Sequence, residues 1–470
     1  MEIASGASRR SVWLVALALA VGIALRIAFV ATWHAPAGDG VHYYKLSQEL
    51  TAHGRFALGP GEPVTYVRMP GYPLFLAYLA VRQAPISLER HLRFATGANV
   101  VLDLATALLV FLILRRFGVG PAVTGVGMVL LCPILIRLSC YALTESLATF
   151  LATLELYLAL CAMRGRLLLY AVACGLVAGL AQLVRADAVA VAPAVGLALL
   201  WAEAPLKRRI AALALCGIAA AVAFSPWPLR NLSRFGKPYF GGAVFRRVDG
   251  TPLPVEILSW ERTWASSAPG QSYIDLPFVF NQPLPITRPG IITPAMYDSE
   301  AEHKQVVAIF ERYNRERFSP EVVAALGALA HARLRAHPLR TLVVLPLERI
   351  WHLWGPEPEW ELPMRSPVVA PHLLGLFDHL DLVLIAFALA GAALWLRRGG
   401  RDERRLALIF LACIAARTAI FSFAIPNATN ERYATEAYPM VIVLAAWGFW
   451  SAWRALAQWP RQKRIRPTSA

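Results

Sequence analysis

Long apolar runs separated by short basic segments are the dominant pattern of this chain. A helix of about 20 apolar residues crosses the hydrocarbon core of a bilayer. Ten runs come close to that length, at 12–33, 94–114, 119–139, 143–162, 167–184, 186–202, 210–226, 374–396, 405–424 and 435–454. The pattern predicts an all-α polytopic membrane protein with about ten transmembrane helices.

Arginine clusters between the apolar runs indicate how the chain is oriented. Short cytoplasmic loops collect Lys and Arg, which places both termini and these clusters in the cytoplasm. The first run follows one such cluster and lacks a small-residue cleavage site, so we expect a retained span. The clusters are Arg9–Arg10, Arg115–Arg116, Arg164 with Arg166, Lys207–Arg209, Arg397–Arg405 and Arg461–Arg466.

Composition agrees with this interpretation. The 470 residues are 57% hydrophobic and 16% charged, whereas a soluble domain carries roughly 25% charged residues. This excludes a cytosolic enzyme, a disulfide-rich secreted module and a disordered chain. The net charge of +16 follows from the cytoplasmic clusters and requires no nucleic-acid partner. All six cysteines lie in or at the ends of apolar runs, so no disulfide framework is expected.

Two outer loops, 34–93 and 227–338, are too long to be simple connectors. They divide the chain into an N-terminal transmembrane module (1–226), an extracytoplasmic loop domain (227–372) and C-terminal transmembrane helices (373–470). The second loop contains helix-like stretches at 300–317 and 320–336. The segment 339–354 carries two charges near its centre, and if it crossed, the arginines of 397–405 would face outward against the positive-inside rule. We therefore expect it to lie at the membrane interface.

Polar residues that suit chemistry gather on the predicted outer side. Asp39 stands between two glycines just after the first apolar run, where it either contacts a ligand or caps the following helix. Arg68 precedes a proline-glycine bend, where its guanidinium either binds a phosphate or meets lipid headgroups. The ends of other outer runs carry Glu145, Arg185, Arg230 and Arg432.

Four charges lie deeper within the predicted spans: Arg26, Asp103, Glu155 and Arg417. Charge inside a membrane is costly and is usually paired or functional. The favoured interpretation is a structural ion pair, for example between Arg26 and Asp103. The alternative is a proton or ion pathway, which would make the protein a transporter.

Several motifs together resemble bacterial GT-C type glycosyltransferases. The closest group is the one similar to protein O-mannosyltransferases and to the aminoarabinose transferase that modifies lipid A. The motifs are Asp39 with Tyr43-Tyr44 and Leu50-Thr-Ala-His-Gly54, Arg68-Met-Pro-Gly-Tyr-Pro-Leu-Phe-Leu-Ala77, Leu143-Thr-Glu145, Gly179-Leu-Ala-Gln-Leu-Val-Arg185, Pro226-Trp-Pro-Leu-Arg230-Asn231, His337-Pro338 and Glu431-Arg432-Tyr433.

The resemblance implies a GT-C fold and specific roles for residues. Asp39 matches the acceptor-side aspartate, which often acts as base, and Glu145 matches the acidic residue that shares the site. Arg68 matches the contact to the lipid phosphate. Val67 stands where the aminoarabinose transferase has an acidic residue linked to metal binding, so a divalent metal stays an open question. The remaining predicted contacts are Arg185, Arg230 and Arg432 for the donor phosphate, and His42, Tyr43, Tyr72 and Tyr433 for substrate.

These observations predict a glycosyltransferase of the bacterial inner membrane with its site facing the periplasm. It would move one sugar from a polyprenyl-phosphate donor to a lipid, polysaccharide or protein acceptor. Polyprenyl phosphate is a good leaving group, so positive charge on the phosphate and one base for a hydroxyl acceptor suffice. The alternatives are a transporter or flippase of lipid-linked sugars, and a polymerase or ligase of whole lipid-linked glycans.

Overall fold

The computed structural model describes residues 9–32, 38–80, 87–241, 253–266, 277–278, 281–355, 371–424 and 431–464. Within these residues the chain is helical, and the only β pairing is an isolated bridge between Ala57 and Val64. The helices of the first half are α1 Arg9–Thr32, α2 Gly38–His53, α3 Gly71–Ala80, α4 Leu88–Leu114, α5 Val119–Leu131, α6 Pro133–Ser139, α7 Glu145–Ala162, α8 Leu167–Val184, α9 Ala192–Leu200, α10 Leu206–Phe224 and α11 Pro226–Phe235. The helices that follow are α12 Val255–Glu261, α13 Glu300–Glu316, α14 Pro320–Ala336, α15 Leu345–Trp354, α16 Pro371–Arg398, α17 Arg401–Ala419 and α18 Tyr438–Arg464.

Each of the ten predicted apolar runs falls on helical structure. Among the described residues, six helices are long and apolar enough to cross a membrane, and the count is eight if each of two bent pairs forms one span. The bends, 49° between α5 and α6 and 43° between α10 and α11, occur where Pro133 and Pro226 interrupt helical hydrogen bonding. The other two runs contain shorter apolar helices, Ala16–Ala28 and Ala186–Leu200. The protein is a multi-pass membrane protein, and the number ten stays a prediction.

Small residues let two membrane helices approach closely. Gly175 and Gly179 lie on α8 where it packs along α10. A Cβ atom at Gly179 would lie 2.4 Å from the carbonyl oxygen of Ala220, and one at Gly175 would lie 2.1 Å from that of Cys216. Contact between backbones is the usual role of small residues in membrane helix pairs.

The predicted ion pair between Arg26 and Asp103 is confirmed. Arg26 is fully buried, and its Nε donates to Oδ2 of Asp103 at 3.0 Å. Its Nη1 also donates to the carbonyl oxygen of Leu130 at 2.8 Å. One buried cation therefore joins α1, α4 and α5.

The segment between the two groups of membrane helices has a hydrophobic core of its own. This core is formed by α12, α13 and α14 around Trp260, Phe278 and Phe310. Both predicted helix-like stretches are helices, and each begins after a serine whose hydroxyl accepts a backbone N–H bond, Ser299 from Glu302 and Ser319 from Val322.

The segment 339–354 forms a helical element with two different faces. Arg349 is buried and donates to the carbonyl oxygens of Arg262, Ala265 and Ser422, which ties the segment to the preceding loop and to the helical turn that follows α17. Leu347 and Trp351 are exposed, as are Leu339 and Leu342 before them. A helix with one anchored face and one exposed apolar face suits an interfacial position, which stays a prediction.

The close approach of α8 and α10 makes a stability prediction. We expect Gly179→Leu to destabilise the protein by about 1–3 kcal/mol, because the side chain would collide with the backbone of α10. Gly217→Leu is the matched control on α10, since a Cβ there meets nothing within 4 Å. Thermal unfolding in detergent measures both. Equal unfolding midpoints for the two variants would contradict this packing.

Candidate active site

The ends of several helices meet around one cavity of about 140 Å³. Asp39 lies in the first turn of α2, Glu145 is the first residue of α7, and Arg185 directly follows α8. Arg68 comes from the segment before α3. The short helical turn Glu431–Ala437 before α18 supplies Arg432 and Tyr433. The lining is Asp39, Tyr43, Val67, Arg68, Met69, Leu143, Thr144, Glu145, Val184, Arg185, Ala186, Asp187, Gly241, Phe421, Arg432 and Tyr433.

Asp39 is held between two guanidinium groups. Nη2 of Arg68 donates to Oδ1 of Asp39, and Nη2 of Arg432 donates to Oδ2 at 3.3 Å. Burial alone would raise the pKa of this carboxyl, but the charges of Arg68 and Arg432 outweigh it and lower the pKa to about 2. Asp39 is therefore ionised and is a weak proton acceptor while both arginines hold it.

Glu145 is the second carboxylate of the cavity and is 1% exposed. Its Oε1 lies 3.2 Å from Nη1 of Arg185 and 3.3 Å from Nε of Arg432. Arg432 consequently bridges Glu145 and Asp39. A change at either carboxylate is transmitted to the other through this one side chain.

The charge network continues behind Glu145. Nε and Nη2 of Arg185 donate to the two carboxylate oxygens of Asp187 at 3.0 and 3.1 Å, and Nε lies 2.9 Å from Oε1 of Glu436. Arg417 donates to Asp187 at 2.8 Å and also contacts Glu436. We call the alternating set of Arg68, Asp39, Arg432, Glu145, Arg185, Asp187, Arg417 and Glu436 the charge network. With four arginines and four carboxylates its formal charge is zero.

Aromatic rings support the arginines. The ring of Tyr433 lies 4.9 Å from the guanidinium carbon of Arg432 and 5.3 Å from that of Arg185, and it stacks on Phe421 at 5.0 Å. Arg68 lies 5.8 Å from the ring of Tyr43. Burial raises the pKa of Tyr43 to about 12, so its hydroxyl stays protonated.

Three predicted site residues lie outside the cavity lining. Nδ1 of His42 is 3.2 Å from Nη2 of Arg68, and burial together with that charge lowers the pKa of His42, which is therefore neutral at pH 7. Tyr72 is buried and packs edge-on against Tyr43 at 5.1 Å. Arg230 donates to the carbonyl oxygen of Thr65 at 2.9 Å, so it contacts the segment that carries Arg68.

Sequence reasoning misses part of the charge network. It gives Asp187 no role, and it interprets Arg417 as part of a deep ion pair or pathway. It does not predict Glu436 at all, although this residue stands four positions after Arg432 in the same segment. The signal that could have found it is its place at the beginning of the last predicted run, 435–454, because the other carboxylates of the site also lie near the ends of apolar runs.

No group of three or more His, Cys, Asp or Glu side chains that would hold a metal is found in the described part of the chain. Val67 lines the cavity beside Arg68. The acidic side chains that line the cavity already form ion pairs with arginines.

The arrangement suits an anion that enters the cavity and exchanges partners with a carboxylate. Guanidinium groups form paired hydrogen bonds to phosphate oxygens as readily as to carboxylates. An entering phosphate that draws Arg68 and Arg432 would leave Asp39 with fewer donors. The cavity thus places guanidinium groups that can bind an anion beside a carboxylate whose basicity depends on them.

A family model described as dolichyl-phosphate-mannose-protein mannosyltransferase matches residues 74–229. This third of the chain includes Glu145 and Arg185, and it leaves out Asp39, Arg68 and Arg432. No curated protein matches the sequence.

Solved structures are similar over most of the chain. The archaeal oligosaccharyltransferase AglB from Archaeoglobus fulgidus, in complex with an inhibitory peptide and a dolichol-phosphate, is 16% identical with a TM-score of 0.53, covering 98% of this chain and 52% of that chain. The oligosaccharyltransferase from the same organism in complex with Zn and sulfate is 17% identical with a TM-score of 0.50, covering 94% and 49%. This chain spans about half the length of these proteins.

ArnT from Cupriavidus metallidurans bound to undecaprenyl phosphate is 16% identical over 94% of this chain and 78% of that chain. Its TM-score of 0.41 is too low to show a shared fold. The similarity to the archaeal structures, with TM-scores of 0.53 and 0.50, does show a shared fold. The chain has the GT-C fold, as the sequence predicts.

The pairing of buried charges makes a second stability prediction. We expect Glu436→Gln to destabilise the protein by up to about 3–5 kcal/mol, because Arg417 and Arg185 both lose a buried partner. The double variant Glu436→Gln/Arg417→Gln should recover part of the loss in thermal unfolding. The control is Glu89→Gln, whose partner Arg93 is 73% exposed, with a cost of roughly 0.5 kcal/mol or less. A Glu436→Gln variant as stable as the control would refute the network.

Proposed function

From the GT-C fold of this chain, we propose that the protein is a membrane glycosyltransferase that moves a single sugar from a polyprenyl-phosphate donor to a hydroxyl acceptor. The observation that carries the proposal is the bridging of Asp39 and Glu145 by Arg432 beside a cavity that Arg68 also lines. Cations for a phosphate and a carboxylate for a proton are thus adjacent.

The donor is a phosphodiester with one negative charge. As polyprenyl phosphate leaves, further negative charge develops on its phosphate. Arg68 and Arg432 are proposed to bind this phosphate, because both line the cavity and both are held at its edge by Asp39. Cations placed where charge develops stabilise the transition state. Arg185 is proposed to contact the phosphate less directly, because it already forms ion pairs with Asp187 and Glu436.

In the reaction, the acceptor oxygen forms a bond to the anomeric carbon of the sugar. The bond between that carbon and the phosphate oxygen breaks, and polyprenyl phosphate leaves with the electron pair. The acceptor proton passes to the carboxylate of Asp39, which acts as general base. Donor binding prepares this step, because a phosphate that engages Arg68 and Arg432 weakens their hold on Asp39.

Other residues are proposed to position these groups. Glu145 orients Arg432 and Arg185 through its contacts with both. Tyr433 and Tyr43 support the guanidinium groups and face the substrate, and Tyr72 and His42 hold Tyr43 and Arg68 in place. Arg230 supports the Arg68 segment through Thr65 rather than by contact with the phosphate.

The acceptor is proposed to be a lipid, polysaccharide or protein outside the bacterial inner membrane. The similar archaeal AglB structure is a complex with an inhibitory peptide and a dolichol-phosphate, and a lipid-phosphate donor here fits the arginines of the cavity. Both termini would be cytoplasmic and the site periplasmic, with residues 227–372 next to the acceptor. A metal requirement stays open.

The first test is sugar transfer in membranes. Wild-type protein is supplied with a panel of radiolabelled polyprenyl-phosphate sugars and an extract of outer membrane and cell wall, and the label leaving the lipid donor is followed. Asp39→Asn should reduce transfer by about 10²–10⁴-fold, since the amide cannot accept the proton. Glu62→Gln is the control, because Glu62 is an exposed carboxylate of the same loop that does not line the cavity.

Other outcomes of this test each exclude part of the proposal. Unchanged transfer by Asp39→Asn would remove Asp39 as the base. Products longer by many sugars would indicate a polymerase or ligase. Absence of transfer from every donor, with labelled lipid changing leaflet instead, would indicate a flippase.

The second test is the pH dependence of the rate constants. In the free enzyme the pKa of Asp39 is lowered to about 2. Because kcat/KM reports on the free enzyme, it should show no loss from protonation of Asp39 until the pH falls towards that value. Because the donor phosphate draws Arg68 and Arg432 away, the pKa of Asp39 should rise in the donor complex, and kcat should fall at a higher pH than kcat/KM. In Arg68→Gln the fall in kcat/KM should move upward in pH. Superimposable profiles for kcat and kcat/KM would contradict the partner exchange.

A further inference from the structure

A second group of cavities lies at the other end of α7 from the candidate active site. Glu145 begins this helix and Ala162 ends it, and 18 residues of α-helix span about 27 Å. Met163 and Arg164 directly follow its last residue, and together with Glu203, which comes after α9, they line two cavities of about 290 and 330 Å³. We call these two the basic cavities.

Arginines dominate the walls of the basic cavities. Arg116, Arg164 and Arg405 line the first cavity, and Arg164, Arg166 and Arg208 line the second. The carboxylates in the same walls are Glu203 and Asp402, so five cations face two anions. This contrasts with the charge network, where arginines and carboxylates are equal in number.

The contacts within the basic cavities leave much of this charge uncompensated. Arg116 donates to the sulfur of Cys161 at 3.6 Å, and Arg405 donates to the carbonyl oxygen of Trp201 at 3.3 Å, so both partners are neutral. Arg164 lies 3.6 Å from Asp402, and both side chains are more than half exposed. A pair of that kind contributes little. The excess of positive charge in these cavities therefore favours the binding of an anion.

The surroundings of the second cavity indicate what kind of anion fits. Leu167, Leu168 and Leu169 line it at the beginning of α8, and Leu169 is 59% exposed. Leu206 and Ile210 are exposed at the beginning of α10, which packs along α8. The arginines thus lie where two apolar membrane helices begin. A molecule with an anionic head and apolar chains would satisfy both surfaces.

Basic residues at this end of the helices also fit the rule that cytoplasmic loops are positively charged. That rule requires charge but not cavities, and it applies equally to Arg397 and Arg398, which line neither cavity. The concave surface shared by loops after α4, α7 and α9 is the additional observation. Basic pockets between membrane helices bind the headgroups of anionic lipids.

We propose that the second basic cavity binds the phosphate headgroup of an anionic phospholipid, with Arg164, Arg166 and Arg208 as its contacts and the acyl chains along α8 and α10. This site is separate from the candidate active site and does not depend on the proposed sugar transfer.

The test compares two double variants that remove the same charge from full-length protein in detergent. Lipid binding is measured by native mass spectrometry and by the rise in thermal unfolding midpoint on adding phosphatidylglycerol. Arg166→Gln/Arg208→Gln should weaken phosphatidylglycerol binding about 25-fold, because each basic residue near an anionic headgroup contributes roughly fivefold. Arg397→Gln/Arg398→Gln should bind as the wild type does. Arg166→Lys/Arg208→Lys should retain most of the binding, which shows that loss in the Gln variant is not misfolding.

Three results would overturn the proposal. Equal losses in both Gln variants would indicate general charge attraction. Equal binding of phosphatidylglycerol and the zwitterionic phosphatidylcholine would exclude a site for an anionic headgroup. Inorganic phosphate that raises the unfolding midpoint as strongly as phosphatidylglycerol would identify a free phosphate as the ligand instead of a lipid.

Discussion

Buried charge must be paired, and in this protein the pairing of arginines with carboxylates decides which chain segments meet. The charge network takes members from the beginnings of α2 and α7, the end of α8, the last turn of α17 and the turn before α18. Removing one partner from a buried pair leaves a charge that the membrane interior cannot solvate. The elements that carry the site are therefore held in place by the site's own side chains.

Access to the cavity separates the arginines with a proposed chemical role from those that join helices. Arg26 and Arg349 are buried, and their partners are a carboxylate and carbonyl oxygens of residues that do not line the candidate active site. Arg68 and Arg432 keep about a fifth to a quarter of their side chains exposed and face open volume. Only arginines of the second kind can exchange a carboxylate for an incoming phosphate without leaving a buried charge unpaired.

The two ends of the membrane helices differ in how far carboxylates balance the positive charge of the arginines. At the active-site end each arginine that lines the cavity has a carboxylate partner, so the charge network is neutral and its groups are held in one geometry. At the far end the arginines outnumber the carboxylates, and their hydrogen bonds go to neutral atoms. The first arrangement suits the proposed exchange with a bound substrate, whereas the second suits the proposed binding of an anionic headgroup at the membrane surface.

Periodicity and charge along the chain determine much of this structure. Apolar runs of membrane length determine where the helices lie, and prolines determine where two of them bend. The pairing of Arg26 with Asp103 follows from the cost of an isolated charge in the membrane. Sequence predicts six residues on one side, and five of them line one cavity while Arg230 does not; the five are Asp39, Arg68, Glu145, Arg185 and Arg432. Only the tertiary structure decided that Arg432 bridges both carboxylates, that Asp187, Arg417 and Glu436 complete the network, and that Arg230 supports the Arg68 segment. Sequence limits the depth of a residue in the membrane, but the rotation and packing of helices select its partners.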